Sequence, residues 1–211
     1  MSTTELLNIL YEDEWFAVIN KPANFLSVPG RGEAKRDSIT ARALTLFGEA
    51  HAVHRLDYAT SGLILVAKTL ECHKRLSAHF RERQVQKEYR AILRGKMIAH
   101  EGSVSKPLIC DWPNRPRQIV HREWGKAATT HWKQLSDKTT SHTRVALFPI
   151  TGRSHQLRVH MQSMSHPILG DEFYDSLCSP DDKRLHLHAY RLEFSHPFTK
   201  AWLKFIAVCP F

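Results

Sequence analysis

With 211 residues, 42% of them hydrophobic and 24% charged, the chain has the composition of an ordinary globular protein, which argues against both a disordered and a membrane-embedded chain. Its net charge of +9 suits a polyanionic partner better than an acidic one. The charge is concentrated: residues 68–94 hold eight Lys or Arg against three Glu, and residues 106–126 hold five against two acids. A solvated basic face would look the same, so this supports a polyanion without identifying it.

The apolar run at residues 63–67 is too short to span a bilayer, and residues 1–14 lack the basic and apolar regions of a signal peptide, so a cytoplasmic protein is expected. Cys72, Cys110, Cys178 and Cys209 are scattered without a Cys-x-x-Cys pair and read as reduced thiols. The length predicts a single domain spanning residues 1–211, with one core and room for a cleft.

In chain order, residues 7–11 and 16–20 are β-prone stretches separated by Glu12-Asp13-Glu14, which predicts a hairpin ended by Lys21-Pro22. Ile39, Ala43, Leu46 and Phe47 fall at helical spacing with Asp37 or Ser38 as cap. A continuous apolar strand at 62–68 leads into a second helix, capped by Thr69 and reaching Phe80. Residues 85–94 alternate in character, so Tyr89 is expected on the face of Val85, Ala91 and Leu93. Asp111-Trp112-Pro113-Asn114-Arg115-Pro116 reads as a loop between strands. Further strands are predicted at 129–135, 143–150, 192–196 and 202–208. A helix carrying Leu157, Met161 and Met164 follows Thr151-Gly152. Strands outnumber helices without regular βαβ alternation, so the fold class is α+β with a mainly antiparallel or mixed sheet.

The segment His54-Arg55-Leu56-Asp57-Tyr58-Ala59-Thr60-Ser61-Gly62 runs directly into the 62–68 strand. A carboxylate in a polar turn before a buried strand is rigidly held yet open to a ligand, although an Asx-turn role for Asp57 would fit the same position. The whole string HRLDYATSGLILVAKT resembles the signature of the RluA family of pseudouridine synthases, whose catalytic Asp falls at Asp57. Gln86-Lys87-Glu88-Tyr89 is similar to the family's Lys-x-Tyr element, which implies that Tyr89 stacks beneath the uracil; a packed strand Tyr is the alternative. Thr151-Gly152-Arg153-Ser154-His155-Gln156-Leu157-Arg158 resembles the family's Gly-Arg-x-His-Gln-x-Arg element, which implies that Arg158 pairs with Asp57. His166-Pro167-Ile168-Leu169-Gly170-Asp171 and Phe194-Ser195-His196-Pro197 match landmarks expected to shape the fold more than the reaction.

The resemblance implies the pseudouridine synthase catalytic fold, with flanking helices, a central RNA-binding cleft and no amino-terminal S4 domain. It further implies a monomer acting on 23S ribosomal RNA, transfer RNA or both, and residues 109–118 are similar to short members that use both RNAs. Breaking the C1′–N1 bond, turning the uracil and rejoining C1′ to C5 adds or removes no electron or group, so no cofactor or metal is expected. A carboxylate could add to C6, attack C1′ or take the C2′ proton, and an adjacent arginine favours its ionised form in every case. The resemblance suggests that Arg55 fills the space left by the flipped base, a plain phosphate contact being the alternative. His54, Arg153, His155 and residues 81–94 are candidate RNA contacts. His51, His54 and Asp57 could be imagined as metal ligands, but no recognised ligand spacing supports a hydrolase. A non-catalytic RNA binder would not need Asp57, Tyr89 and Arg158 together.

Overall fold

The computed structural model describes residues 7–135, 141–179, 182 and 184–211. In chain order its elements begin with β1 (Ile9–Glu12), β2 (Phe16–Lys21), α1 (Ile39–Phe47), β3 (His51–Ala52), β4 (Ser61–Ala67) and α2 (Leu70–Arg81). They continue with β5 (Gln86–Arg94), β6 (Glu101–Ser105), β7 (Leu108–Cys110), β8 (Gln118–Val120), β9 (Thr129–Gln134), β10 (His142–Pro149), α3 (Gln156–Gln162), β11 (Leu187–Ser195) and β12 (Trp202–Ile206). The class is α+β, as the sequence predicts. The chain divides into two compact units, one of residues 1–86 and 189–210, the other of residues 87–188 with Phe211.

In the first unit the strand order is β1-β2-β4-β11-β12, with β3 also on β4. All seven residues of β4 are buried, and its alternating side chains supply two separate apolar clusters. Leu63, Leu65 and Ala67 join Phe16, Val18, Cys72 and Leu76, so α2 packs on that side. Ile64 and Val66 join Ala17, Ile19, Ile39 and Ala43, so α1 packs on the other. The single core expected from length is therefore several clusters, because a strand apolar at every position must be covered on both faces.

Ser38, not Asp37, caps α1 by accepting from the Ala41 amide at 3.2 Å, while Asp37 pairs with Arg42. Thr69 caps α2 as expected, accepting from the Cys72 amide. The β1–β2 hairpin turns at Asp13, whose Oδ1 accepts from the amides of Trp15 and Phe16.

In the second unit, β5-β10-β9-β6 are antiparallel neighbours, and β7 and β8 form a separate hairpin. The proline-rich loop expected at 111–116 is the tip of that hairpin and includes a 3-10 turn at Trp112–Asn114. Strand β6 went unnoticed in the sequence because its residues, Glu-Gly-Ser-Val-Ser, bury only Val104. Helix α3 ends at Gln162, short of Met164, and β11 begins five residues before the predicted strand.

Candidate active site

The first unit carries His54, Arg55 and Asp57; the second carries Tyr89, Arg153, His155 and Arg158. Asp57 is half-buried in a turn closed by the Thr60 amide donating to the Asp57 carbonyl at 3.1 Å. Both neighbours of Asp57 are clamped. The Leu56 amide donates to Ser27 Oγ at 3.0 Å, and Ser27 Oγ–H donates to the Leu56 carbonyl at 2.8 Å. Beyond Asp57, the Tyr58 carbonyl accepts from the Phe25 amide and from Lys21 Nζ at 3.1 Å. Gly62 ends the turn at φ +109°, and a Cβ there would lie 2.3 Å from the Ala189 carbonyl oxygen, so only glycine fits.

Lys21 was read in the sequence only as the end of a strand. It is fully buried, and its ammonium also donates to the carbonyls of Pro22 at 2.8 Å and Phe25 at 2.7 Å. One side chain thus ties residues 22–25 to the turn that presents Asp57. Burial lowers the Lys21 pKa to about 7, and the nearby charge of Asp57 opposes that shift.

This fixes the sign of a stability effect. Between pH 7 and the ordinary lysine value of 10.5 the unfolded chain holds the extra proton, so the contribution of this group to stability rises with pH through that window. The slope is at most about 1.4 kcal/mol per pH unit. Lys21→Met removes this rise and takes a donor from three carbonyls, of which Tyr58 keeps the Phe25 amide, at about 1–3 kcal/mol for each of the other two that stays buried. Urea midpoints from pH 6 to pH 9 should show the variant less stable and flatter in its pH profile; parallel curves would refute the assignment.

His54 Nε2 accepts from the Leu65 amide at 3.2 Å, and its ring stacks on Phe80 at 4.8 Å, which orients the start of the motif. His51 instead meets Glu49 at 2.7 Å. Arg55 is exposed and has no side-chain partner among the described residues.

In the second unit, half-buried Tyr89 sits on β5 opposite Leu147 of β10. Arg158, 2% exposed, donates from Nε and Nη2 to the two oxygens of Asp171 at 2.8 and 2.7 Å. The rings of Phe173 and Tyr174 lie 5.2 Å from its guanidinium carbon. Asp171 Oδ1 also accepts from the amides of Phe173 and Tyr174. Asp171, expected only to shape the fold, is thus the residue that holds Arg158 in place.

Gln156 was likewise not singled out in the sequence. Its buried amide donates to the Thr129 carbonyl and to Thr130 Oγ1, and its oxygen accepts from the Thr151 hydroxyl and the Arg153 amide. These four bonds shape the turn from which Arg153 projects into solvent, its Nε donating to the Ala127 carbonyl at 3.2 Å. His155, a candidate RNA contact, is only 8% exposed; its Nδ1 meets the Tyr174 hydroxyl at 2.7 Å, a supporting position behind the turn.

Residues 15–163, which include every one of these candidate residues, match the family model of RNA pseudouridylate synthases. The chain belongs to the RNA pseudouridylate synthase family. It is 50% identical to the dual-specificity RNA pseudouridine synthase RluA of Yersinia pestis over 193 residues, covering 90% of this chain and 92% of that one. To the RluA of Pasteurella multocida it is 47% identical over 209 residues, 97% of this chain and 94% of that one. Among solved structures, human RNA pseudouridylate synthase domain containing 1 superposes with a TM-score of 0.81 at 27% identity, over 100% of this chain and 86% of that one. Pseudouridine synthases are isomerases that convert uridine to pseudouridine, and RNA is their substrate.

Proposed function

We propose that this chain converts uridine to pseudouridine in both 23S ribosomal RNA and the anticodon stem-loop of transfer RNA, acting as a cytoplasmic monomer in which residues 1–211 form one catalytic domain. Asp57 is the reacting carboxylate, Tyr89 stacks on the uracil, and Arg158 orients Asp57. The observation that carries this reading is the turn at Asp57, clamped on both sides by Ser27, Phe25 and Lys21 while the carboxylate residue itself stays accessible. The two RNA classes come from the dual specificity of the RluA relatives. Tritium release from C5-labelled uridine tests the reaction, and mapping pseudouridine in RNA from cells with and without the protein tests the substrates. Loss of a site in only one RNA class would reduce the proposal to single specificity.

Arg55 is assigned to base extrusion, supported by its exposure two residues from Asp57 and by the lack of a side-chain partner among the described residues. Extruding a stacked uridine costs a few kcal/mol, whereas a loose RNA has little stacking to lose. Arg55→Ala should therefore slow single-turnover modification of a stem-loop by roughly tenfold or more, and that of a short unstructured RNA with the same uridine only slightly. Equal slowing on both, with a weaker salt dependence of binding, would make Arg55 a phosphate contact instead.

A further inference from the structure

The β7–β8 hairpin and α3 enclose a cavity of about 700 Å³ within the second unit, in the size range of small-ligand clefts. Its lining includes Lys106, Arg117, Arg122, Gln118, Gln162 and Tyr174, and no carboxylate. None of the three cations has an acidic partner among the described residues. Lys106 Nζ donates to the Ser163 carbonyl, the Arg117 guanidinium lies 5.7 Å from the Tyr174 ring centre, and exposed Arg122 has no side-chain partner among the described residues. Three unneutralised cations around one concavity form a site for an anion.

The walls are braced. His160, fully buried, meets the Lys106 carbonyl through Nε2 at 3.0 Å and Thr130 Oγ1 through Nδ1 at 2.9 Å. Burial lowers its pKa, which favours the neutral ring with the proton on Nε2. Across the cavity, the Gln118 amide donates to the Tyr174 hydroxyl at 2.7 Å, the same hydroxyl that meets His155.

Two exposed tryptophans outside the cavity lining bracket Arg117 and Arg122 in the chain. Trp112, at the hairpin tip, is 65% exposed with the Arg115 guanidinium 4.6 Å from its ring centre. Trp124, just after β8, is 69% exposed and stacks on His121 at 5.1 Å and 8°. Exposed tryptophans interleaved with unpaired cations match the chemistry of unpaired nucleotides, in which phosphates and base faces alternate.

We propose that this cavity is a second RNA site, which takes a backbone phosphate of a nucleotide other than the modified uridine while Trp124 stacks on an adjacent unpaired base. The proposal rests on RNA being the substrate, and it goes further by naming where the RNA is gripped outside the Asp57 turn. An acidic protein segment would meet the cations but leave the tryptophan faces unused.

The test compares the full-length protein with Arg117→Gln/Arg122→Gln and, separately, Trp124→Ala. All three side chains are exposed, so folding should survive, and thermal melts check this. The double variant should bind an anticodon stem-loop about tenfold more weakly, with the salt slope of log K reduced by nearly two, while its single-turnover rate at saturating enzyme stays unchanged. Trp124→Ala should weaken binding about tenfold with the salt slope intact. A short RNA spanning only the target uridine should bind all variants equally. Unchanged affinity and salt slope in the double variant would overturn the proposal, as would polyglutamate competing as well as RNA of equal charge. Because these readouts are affinities, they remain decisive even if turnover were absent, in which case the isomerase reading would fail and this one would not.

Discussion

Asp57→Asn is expected to lower the single-turnover rate on a stem-loop by at least about 10⁴-fold, the upper end for loss of a group acting directly on the reacting atoms, and to change RNA affinity by less than about threefold. Asn has the shape of Asp without its charge or nucleophilic power, so all three conceivable routes through the carboxylate close together. The turn itself should persist. Its hydrogen bonds run through the Asp57, Leu56 and Tyr58 backbone groups, which the substitution leaves in place. In the proposed reading affinity comes from basic side chains meeting phosphates, a contact that a carboxylate does not make. Tritium release under single turnover, paired with filter binding, separates the two effects. Residual turnover within about a hundredfold of the parent would mean that another group performs the chemistry.

The second large effect is expected at Arg158, where stability and rate must be separated. Arg158→Met leaves Asp171 as a buried charge that retains, among the described residues, only the amides of Phe173 and Tyr174 as hydrogen-bond donors, at a cost of about 3–5 kcal/mol. For a chain of this size that lowers the melting temperature by on the order of 10 °C. Adding Asp171→Asn removes the orphaned charge and keeps an oxygen for those two amides, so the double variant should regain most of the lost stability. Its rate should nevertheless stay about a hundredfold or more below the parent if Arg158 orients the reacting carboxylate. Recovery of stability and rate together would make Arg158 a structural residue. Arg158→Lys should rescue only partly, since a point charge cannot reproduce the two-pronged geometry on Asp171.

Much of the site was readable from the chain because its elements are local. Thr69 capping α2, the apolar run of β4 and the Asp13 hairpin each depend on residues within a few positions of one another. The long motif around Asp57 was legible for the same reason. Lys21 was not, because its partners at Phe25 and Tyr58 lie up to 37 positions away, and nothing in Asn-Lys-Pro distinguishes a buried ammonium from a surface one. His54 and His155 are candidate RNA contacts in the sequence, yet the fold buries His155 and leaves His54 only partly exposed. Their hydrogen-bond and ring partners, Leu65, Phe80 and Tyr174, are supplied by folding.

By itself the sequence determined the family, the catalytic candidate and the α+β class, since these rest on residue identity in contiguous strings and on local periodicity. Only the tertiary structure decided that Ser27 and Lys21 clamp the turn of Asp57, that Asp171 holds Arg158, and that three cations surround one cavity behind the β7–β8 hairpin. The physical reason is that a buried charge is tolerable only with partners around it, and a chain of this length gathers those partners from distant segments that no local pattern connects.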